Sequence, residues 1–355
     1  VQNAGADAYN VAVGFEAGQA VTTGLKNTLI GGEAGDALTT GNYNTAVGYQ
    51  ALSTEDAHGR NTAIGYLALT TQDAGTDGYN TAVGFEAGKV ISTGIYNTIT
   101  GALAGDALTT GNYNVAIGTQ ALSTEDAHGR NVAVGHEALT TLNAGADAYN
   151  VAVGFQAGKE VTTGQYNVLL GSKAGDVLTT GSANIAIGQD ALGGEDAHGR
   201  CVAIGHEALK AQDAGADAYN VAIGFDAGAN VSTGTQNTIV GGLAGDALTT
   251  GAYNTALGYR ALSAEDAHGK NVAIGTLALA DLNAGADGFN VAIGYEAGVS
   301  VTTGINNVLI GGQAGDALTT GGYNIAIGKN ALGAEDAHGG NIAIGFGALA
   351  VQDAG

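Results

Sequence analysis

The sequence predicts an all-β protein, a parallel β-solenoid whose short coils stack along one axis. Three observations predict it. A unit of 17 or 19 residues recurs along the whole chain. Each unit opens on a five-residue run rich in Val, Ile and Thr that is closed by Gly, the pattern of a short strand. Helical repeats need roughly 33–47 residues for a helix pair, which these units lack.

The unit begins with Asn, continues through small or β-branched residues to Gly at position five, and has Ala at position eight. Asn44, Gly48 and Ala51 make one example, and Asn61, Gly65 and Ala68 the next. Starts at 10, 27, 44 and 61 are followed by 80, and the spacing 17, 17, 17, 19 then repeats to 341. That gives 20 coils in five 70-residue blocks, approximately 10–79, 80–149, 150–219, 220–289 and 290–355. They read as one continuous solenoid over 1–355. Gly holds position five and Ala position eight in all 20, and Asn opens 19, Cys201 being the exception.

A 17-residue coil has room for two or three short strands and tight turns, so the tube is narrow. At one strand spacing per coil, 20 coils rise about 95 Å. In 44–48 the side chains alternate, Thr45 and Val47 on one face, Asn44 and Ala46 on the other. Gly at position five reads as a corner that needs an unusual backbone angle. The Asn column reads as a stacked amide ladder, and the Thr-Thr-Gly runs at 22–24 and 39–41 as turns. The first two coils of a block carry Gly at position nine (Gly18, Gly35), the last two Leu (Leu52, Leu69). The second coil has a large residue at position three, such as Leu29, Ile99 and Leu169. The fourth coil carries the two-residue insertion, so five loops recur along one edge.

Composition narrows the function. Of 355 residues 62 are Gly and none is Pro, Met or Trp; the net charge is −22. Collagen would need Pro and a three-residue period, and an apolar share of 45% is too high for a disordered chain. With 11 Lys and Arg against 33 Asp and Glu, a nucleic-acid partner is not expected. No run is long and apolar enough for a membrane helix, and a single Cys excludes an intrachain disulfide framework. With neither an initiator Met nor a signal-peptide pattern, the chain reads as a processed product or a piece of something longer. The segment 1–5 matches 351–355 in phase and no capping unit is visible, so a longer array or end-to-end stacking of subunits is expected.

Each coil buries only two or three large side chains against the entropy of ordering its backbone. Side-by-side association of several chains would bury the second face. Phe15, Tyr49, Tyr66 and Phe85 at position six, with Tyr43 and Tyr79 just before Asn, suit that seam.

Three polar features are candidates for chemistry. Glu55, Asp56 and His58, repeated around His128, His198, His268 and His338, have the residue types of a metal or acid–base cluster. The plainer reading, preferred here, is a polar turn in the third coil, because one chain offers one His per block. Asp77, Asp147 and Asp217, on the inserted loops, are the candidates for Ca²⁺, yet the calcium β-roll pattern is absent and solvated surface acid is preferred. The Thr pairs at 22–23, 39–40 and 70–71 fall at different places in their coils, which weakens an ice-binding face. No nucleophile elbow, phosphate loop or paired carboxylate stands out, so no enzyme and no cofactor are expected.

The run Gly41-Asn42-Tyr43-Asn44-Thr45-Ala46-Val47-Gly48-Tyr49-Gln50-Ala51-Leu52 resembles the repeats of tail-fibre-domain proteins of phages and bacteria. The segments 221–224 and 325–328 are similar to head repeats of trimeric autotransporter adhesins. The resemblance covers essentially all 355 residues. It implies a left-handed β-roll, a homotrimer and a place outside the cell, on its surface or on a virion. The family's C-terminal chaperone and distinct receptor-binding tip are not visible here.

The first expectation is therefore the shaft of a trimeric fibre serving attachment to a cell-surface or glycan receptor, without membrane insertion. The second is an extracellular filament whose subunits stack end to end. The third is a repetitive surface that captures glycan, ice or Ca²⁺.

Overall fold

A computed structural model describes residues 7–195 and 197–351. The protein is the all-β parallel solenoid that the repeat predicts, with 20 three-residue strands, one per coil. It divides into two compact units, Val1–Gly181 and Ser182–Gly355. The first carries ten strands, from β1 (Val11–Val13) to β10 (Val168–Leu170). The second carries ten more, from β11 (Ile185–Ile187) to β20 (Ile342–Ile344). Within each unit every strand lies parallel to the next coil's strand in strict register, as Thr45, Ala46 and Val47 lie beside Thr62, Ala63 and Ile64. The matching segments 1–5 and 351–355, on which end-to-end stacking was expected, lie outside the described residues except for Val351.

Where two or three strands per coil were expected, one forms. The rest of the coil passes through left-handed residues, which end an extended run. Tyr43 (φ 61°), Gln50 (φ 51°) and Leu52 (φ 53°) occupy positions zero, seven and nine of the third coil. The same positions are left-handed in the next coil at Arg60, Leu67 and Leu69. Pairing between coils continues through these turns: Gly35 N–H donates to Ala51 O at 3.0 Å and Leu52 N–H to Ala68 O at 3.0 Å. The backbone is thereby satisfied without further strands.

Position five is the corner that the sequence predicts. Its φ lies between 125° and 146° in every coil, a region essentially closed to residues with a Cβ. The strand then points its middle residue inward. Ala46, Ala63 and Leu29 are fully buried, as are the position-eight alanines Ala51 and Ala68.

The two kinds of coil solve one packing problem in two ways. In the first two coils Leu29 fills the interior and position nine must be Gly. A Cβ on Gly18 would lie 2.6 Å from Leu29 Cδ1, and one on Gly35 2.8 Å from Leu29 Cδ2. In the last two coils Ala46 and Ala63 leave that space, and Leu52 and Leu69 fill it from position nine. Either way a large side chain fills the narrow core.

The Asn column is a ladder, though not of amide on amide. Each Asn Oδ1 accepts the backbone N–H of the Asn one coil on: Asn27 Oδ1 from Asn44 at 2.9 Å and Asn44 Oδ1 from Asn61 at 3.0 Å. Nδ2 donates to a turn carbonyl at Asn27 (Gly41 O, 2.8 Å) and Asn44 (His58 O, 3.1 Å), whereas the buried Asn61 Nδ2 has no such partner. The backbone outbids the neighbouring amide because its buried N–H has no other acceptor.

Candidate functional site

The strand face that points away from the core is chemically distinct from the rest of the coil. Even-numbered positions of each coil share it, as alternation requires. Tyr43, Thr45, Val47 and Tyr49 form one rung, and Tyr79, Thr81, Val83 and Phe85 another. The outer strand columns are Val, Ile, Thr and Leu throughout, and Ile117, Val153, Ile223 and Leu257 are exposed. Phe85, Phe155 and Phe225 are about half exposed.

The aromatic side chains stack along the axis. At position six Tyr49 meets Tyr66 at 5.7 Å, and Tyr66 meets Phe85 at 5.3 Å. At position zero Tyr79, Tyr96 and Tyr113 stack at 5.0 and 5.2 Å. Arg130 lies over Tyr113 and Tyr149 at 5.8 and 5.4 Å from the ring centres. Such rings spend their faces on one another and present edges outward. In these runs the stacked rings make a packing strip.

Charge is sorted around this strip. Positions zero, two, four and six of the 20 coils make 80 sites, and none holds Asp or Glu. A random share, 33/355 of 80, would be about seven. Position zero carries Lys26, Arg60, Arg130, Arg200 and Lys270. Position seven, just past the other edge, carries Glu16, Glu33, Glu86, Glu137, Glu207 and Glu296. The strip is acid-free with five bases in the position-zero column, and position seven is predominantly acidic although it also holds Lys173 and Arg260.

The inserted loops place Asp77, Asp147 and Asp217 against these position-zero bases. Asp77 Oδ1 accepts Gly59 N–H at 3.0 Å, and its Oδ2 pairs with Arg60 at 2.8 Å. Asp147 pairs with Arg130 at 2.8 Å and Asp217 with Arg200 at 2.6 Å. In the fourth block Lys270 bonds Asp287 and holds its carboxyl below the usual range. These acids tie the insertion to the preceding coil. Beyond them the loops stand free, and a Cβ on Gly75 or Gly145 would meet nothing within 4 Å.

The His turns hold a surprise at their acid. Glu55 is fully buried, as are Glu125, Glu265 and Glu335. Position twelve points inward in every coil of a block: it holds Val21, then Leu38, then Glu55, then Gln72. A turn read only as polar thus keeps its carboxylate in a core column. Comparing position twelve between coils exposes this, whereas the local string Glu-Asp-Ala-His-Gly does not. Glu55 Oε1 accepts His58 N–H at 2.9 Å, and His58 Nδ1 stands 3.7 Å from the same oxygen. His128 and Glu125 repeat the pair at 3.5 Å. Burial pushes the Glu55, Glu125 and Glu265 carboxyls up. In Glu335 the His338 N–H dominates and holds the carboxyl down.

A second acidic column gives a pH prediction. Burial pushes the carboxyls of Asp36, Asp106, Asp246 and Asp316 up. A carboxyl raised in the fold binds protons more readily folded than unfolded, so its contribution grows as pH falls through the folded value toward the unfolded one. The self-repulsion of a −22 chain relaxes in the same direction. Asp287, Glu137 and Glu207, lowered by lysines, act oppositely and lose their contribution at lower pH. The melting temperature is expected to be higher at pH 5 than at pH 7.5. A scan by circular dichroism in which it falls steadily from pH 7.5 to 5 would refute this balance.

No helix among the described residues is long and apolar enough to cross a membrane. No protein-family model matches the sequence, and no curated protein matches it.

Proposed function

We propose that this chain is the shaft of a homotrimeric fibre outside the cell or on a virion, spacing or presenting an attachment function. Its role in this reading is mechanical and needs no catalytic residue. The observation that carries the proposal is the acid-free apolar strip on a chain of net charge −22. Exposed apolar surface that continues from coil to coil marks an interaction site. The partner best suited to a strip with the coil's own repeat is another copy in register beside it. Parallel copies then bury the strip against one another, which favours a cyclic bundle over an isolated chain. The repeat resemblance sets the expected copy number at three.

Light scattering on a size-exclusion column at physiological salt tests this. The expected mass is near three times 34.7 kDa. Ile117→Glu combined with Val153→Glu, both exposed in the strip, is expected to reduce it to a single chain with an unchanged far-ultraviolet spectrum. A single-chain mass for the unmodified protein overturns the proposal. A mass that grows with concentration selects the end-to-end filament instead.

A further inference from the structure

We propose that the third-coil turn of the first block is a binding site for a divalent borderline metal ion of the Zn²⁺ or Co²⁺ class, held by Glu55, Asp56, His58 and Asp73. The four residues come from two consecutive coils. One ligand atom from each lies within 4.8 Å of the others. Glu55 supplies the independent sign of a missing ligand. It is fully buried, and its Oε2 accepts no hydrogen bond. Its other oxygen has the His58 N–H and, at 3.7 Å, the His58 ring. His58 Nδ1 also lacks a hydrogen-bond partner. A buried carboxylate with one bare oxygen, beside a bare imidazole nitrogen, is a costly arrangement that a bound cation relieves.

The donor set fixes the class. One imidazole nitrogen with three carboxylates suits borderline divalent ions that accept mixed nitrogen and oxygen ligands. Ca²⁺ would need six to eight oxygens. Asp56 and Asp73 are exposed and His58 is partly so, which leaves an entry path and room for water on the ion.

The repeat supplies its own control. Asp73 is replaced by Asn143 in the second block and by Asn283 in the fourth. There the second carboxylate oxygen has a backbone partner: Glu125 Oε2 takes Ala144 N–H at 3.5 Å, and Glu265 Oε2 takes Ala284 N–H at 3.3 Å. The Asn blocks therefore lack a charged ligand and occupy the oxygen that the first block leaves bare. They bind the same ion more weakly.

The test is titration of the metal-free full chain with Co²⁺, read by its visible absorption, and with Zn²⁺, read by calorimetry. Asp73→Asn is expected to remove one tight site, and Asn143→Asp to add one. Both positions are exposed, so the fold is retained and circular dichroism verifies it. His58→Ala is expected to remove the same site as Asp73→Asn. Tight-site numbers that ignore both exchanges overturn the proposal, as does the absence of any tight site. Ca²⁺ binding as strongly as Zn²⁺ overturns the assigned class.

Discussion

Gly118→Ala is expected to break the solenoid locally, whereas Gly145→Ala is expected to be mild. Gly118 closes its strand at φ +133° and donates its N–H to Thr100 O at 2.7 Å. A Cβ there would fall inside van der Waals contact of the Gly135 carbonyl, which is backbone and cannot step aside. Strain at such an angle costs on the order of 1–3 kcal/mol, and the overlap adds to it. Relief requires the two coils to separate, which forfeits the pairing Val115–Val132, Ala116–Ala133 and Ile117–Val134. Gly145 has a φ of +69° and open space around its Cβ. Its replacement costs only the left-handed penalty of about 1–2 kcal/mol. Hydrogen exchange should show lost protection concentrated in the coils around Gly118, because each coil leans only on its neighbours. Equal melting temperatures for the two variants would mean that the position-five corner is not what sets the coil.

The contrast between these two glycines also marks what a sequence of this kind discloses. The 17-residue spacing, the position-five Gly and the opening Asn each answer a constraint that only one residue type meets, so they are legible directly. The left-handed turns at Tyr43, Gln50 and Leu52 are not, because residues of many types accept them when coil pairing supplies the hydrogen bonds. That concealed the single strand per coil. The same logic separates the two candidate surfaces. The aromatic columns are visible because rings in register are rare among 6% aromatic residues. Glu55 was hidden by its polar neighbours, since a carboxylate in a turn is ordinarily solvated. Only its register with Val21 and Leu38 reveals that it faces the core.

The Asn column yields a prediction of comparable size in both directions. Asn114 accepts Asn131 N–H at 3.1 Å and donates to His128 O at 3.2 Å, while its own N–H is held by Asn97 Oδ1 at 2.9 Å. Asn114→Ala leaves the Asn131 N–H and the His128 carbonyl without these partners in a buried seam. At about 1–3 kcal/mol for each of the two unsatisfied groups, the loss is roughly 2–6 kcal/mol. The sequence contains the reverse experiment at Cys201. There the N–H still reaches Asn184 Oδ1 at 3.0 Å, but the thiol is only a weak acceptor for Asn220 N–H and lies 3.9 Å from Gly199 O. Asn131, at the same place in the second block, donates to Gly129 O at 3.2 Å. Cys201→Asn restores both interactions and is expected to stabilise by about 0.5–1.5 kcal/mol. The native thiol, buried and pushed up to about 12, provides a second readout. It should resist alkylation until its coil opens, and Asn184→Ala in the adjacent coil should speed that reaction by weakening the rung above it. A thiol alkylated at the rate of a free cysteine, or an Asn114→Ala variant as stable as the parent, would show that water rather than the ladder satisfies this seam.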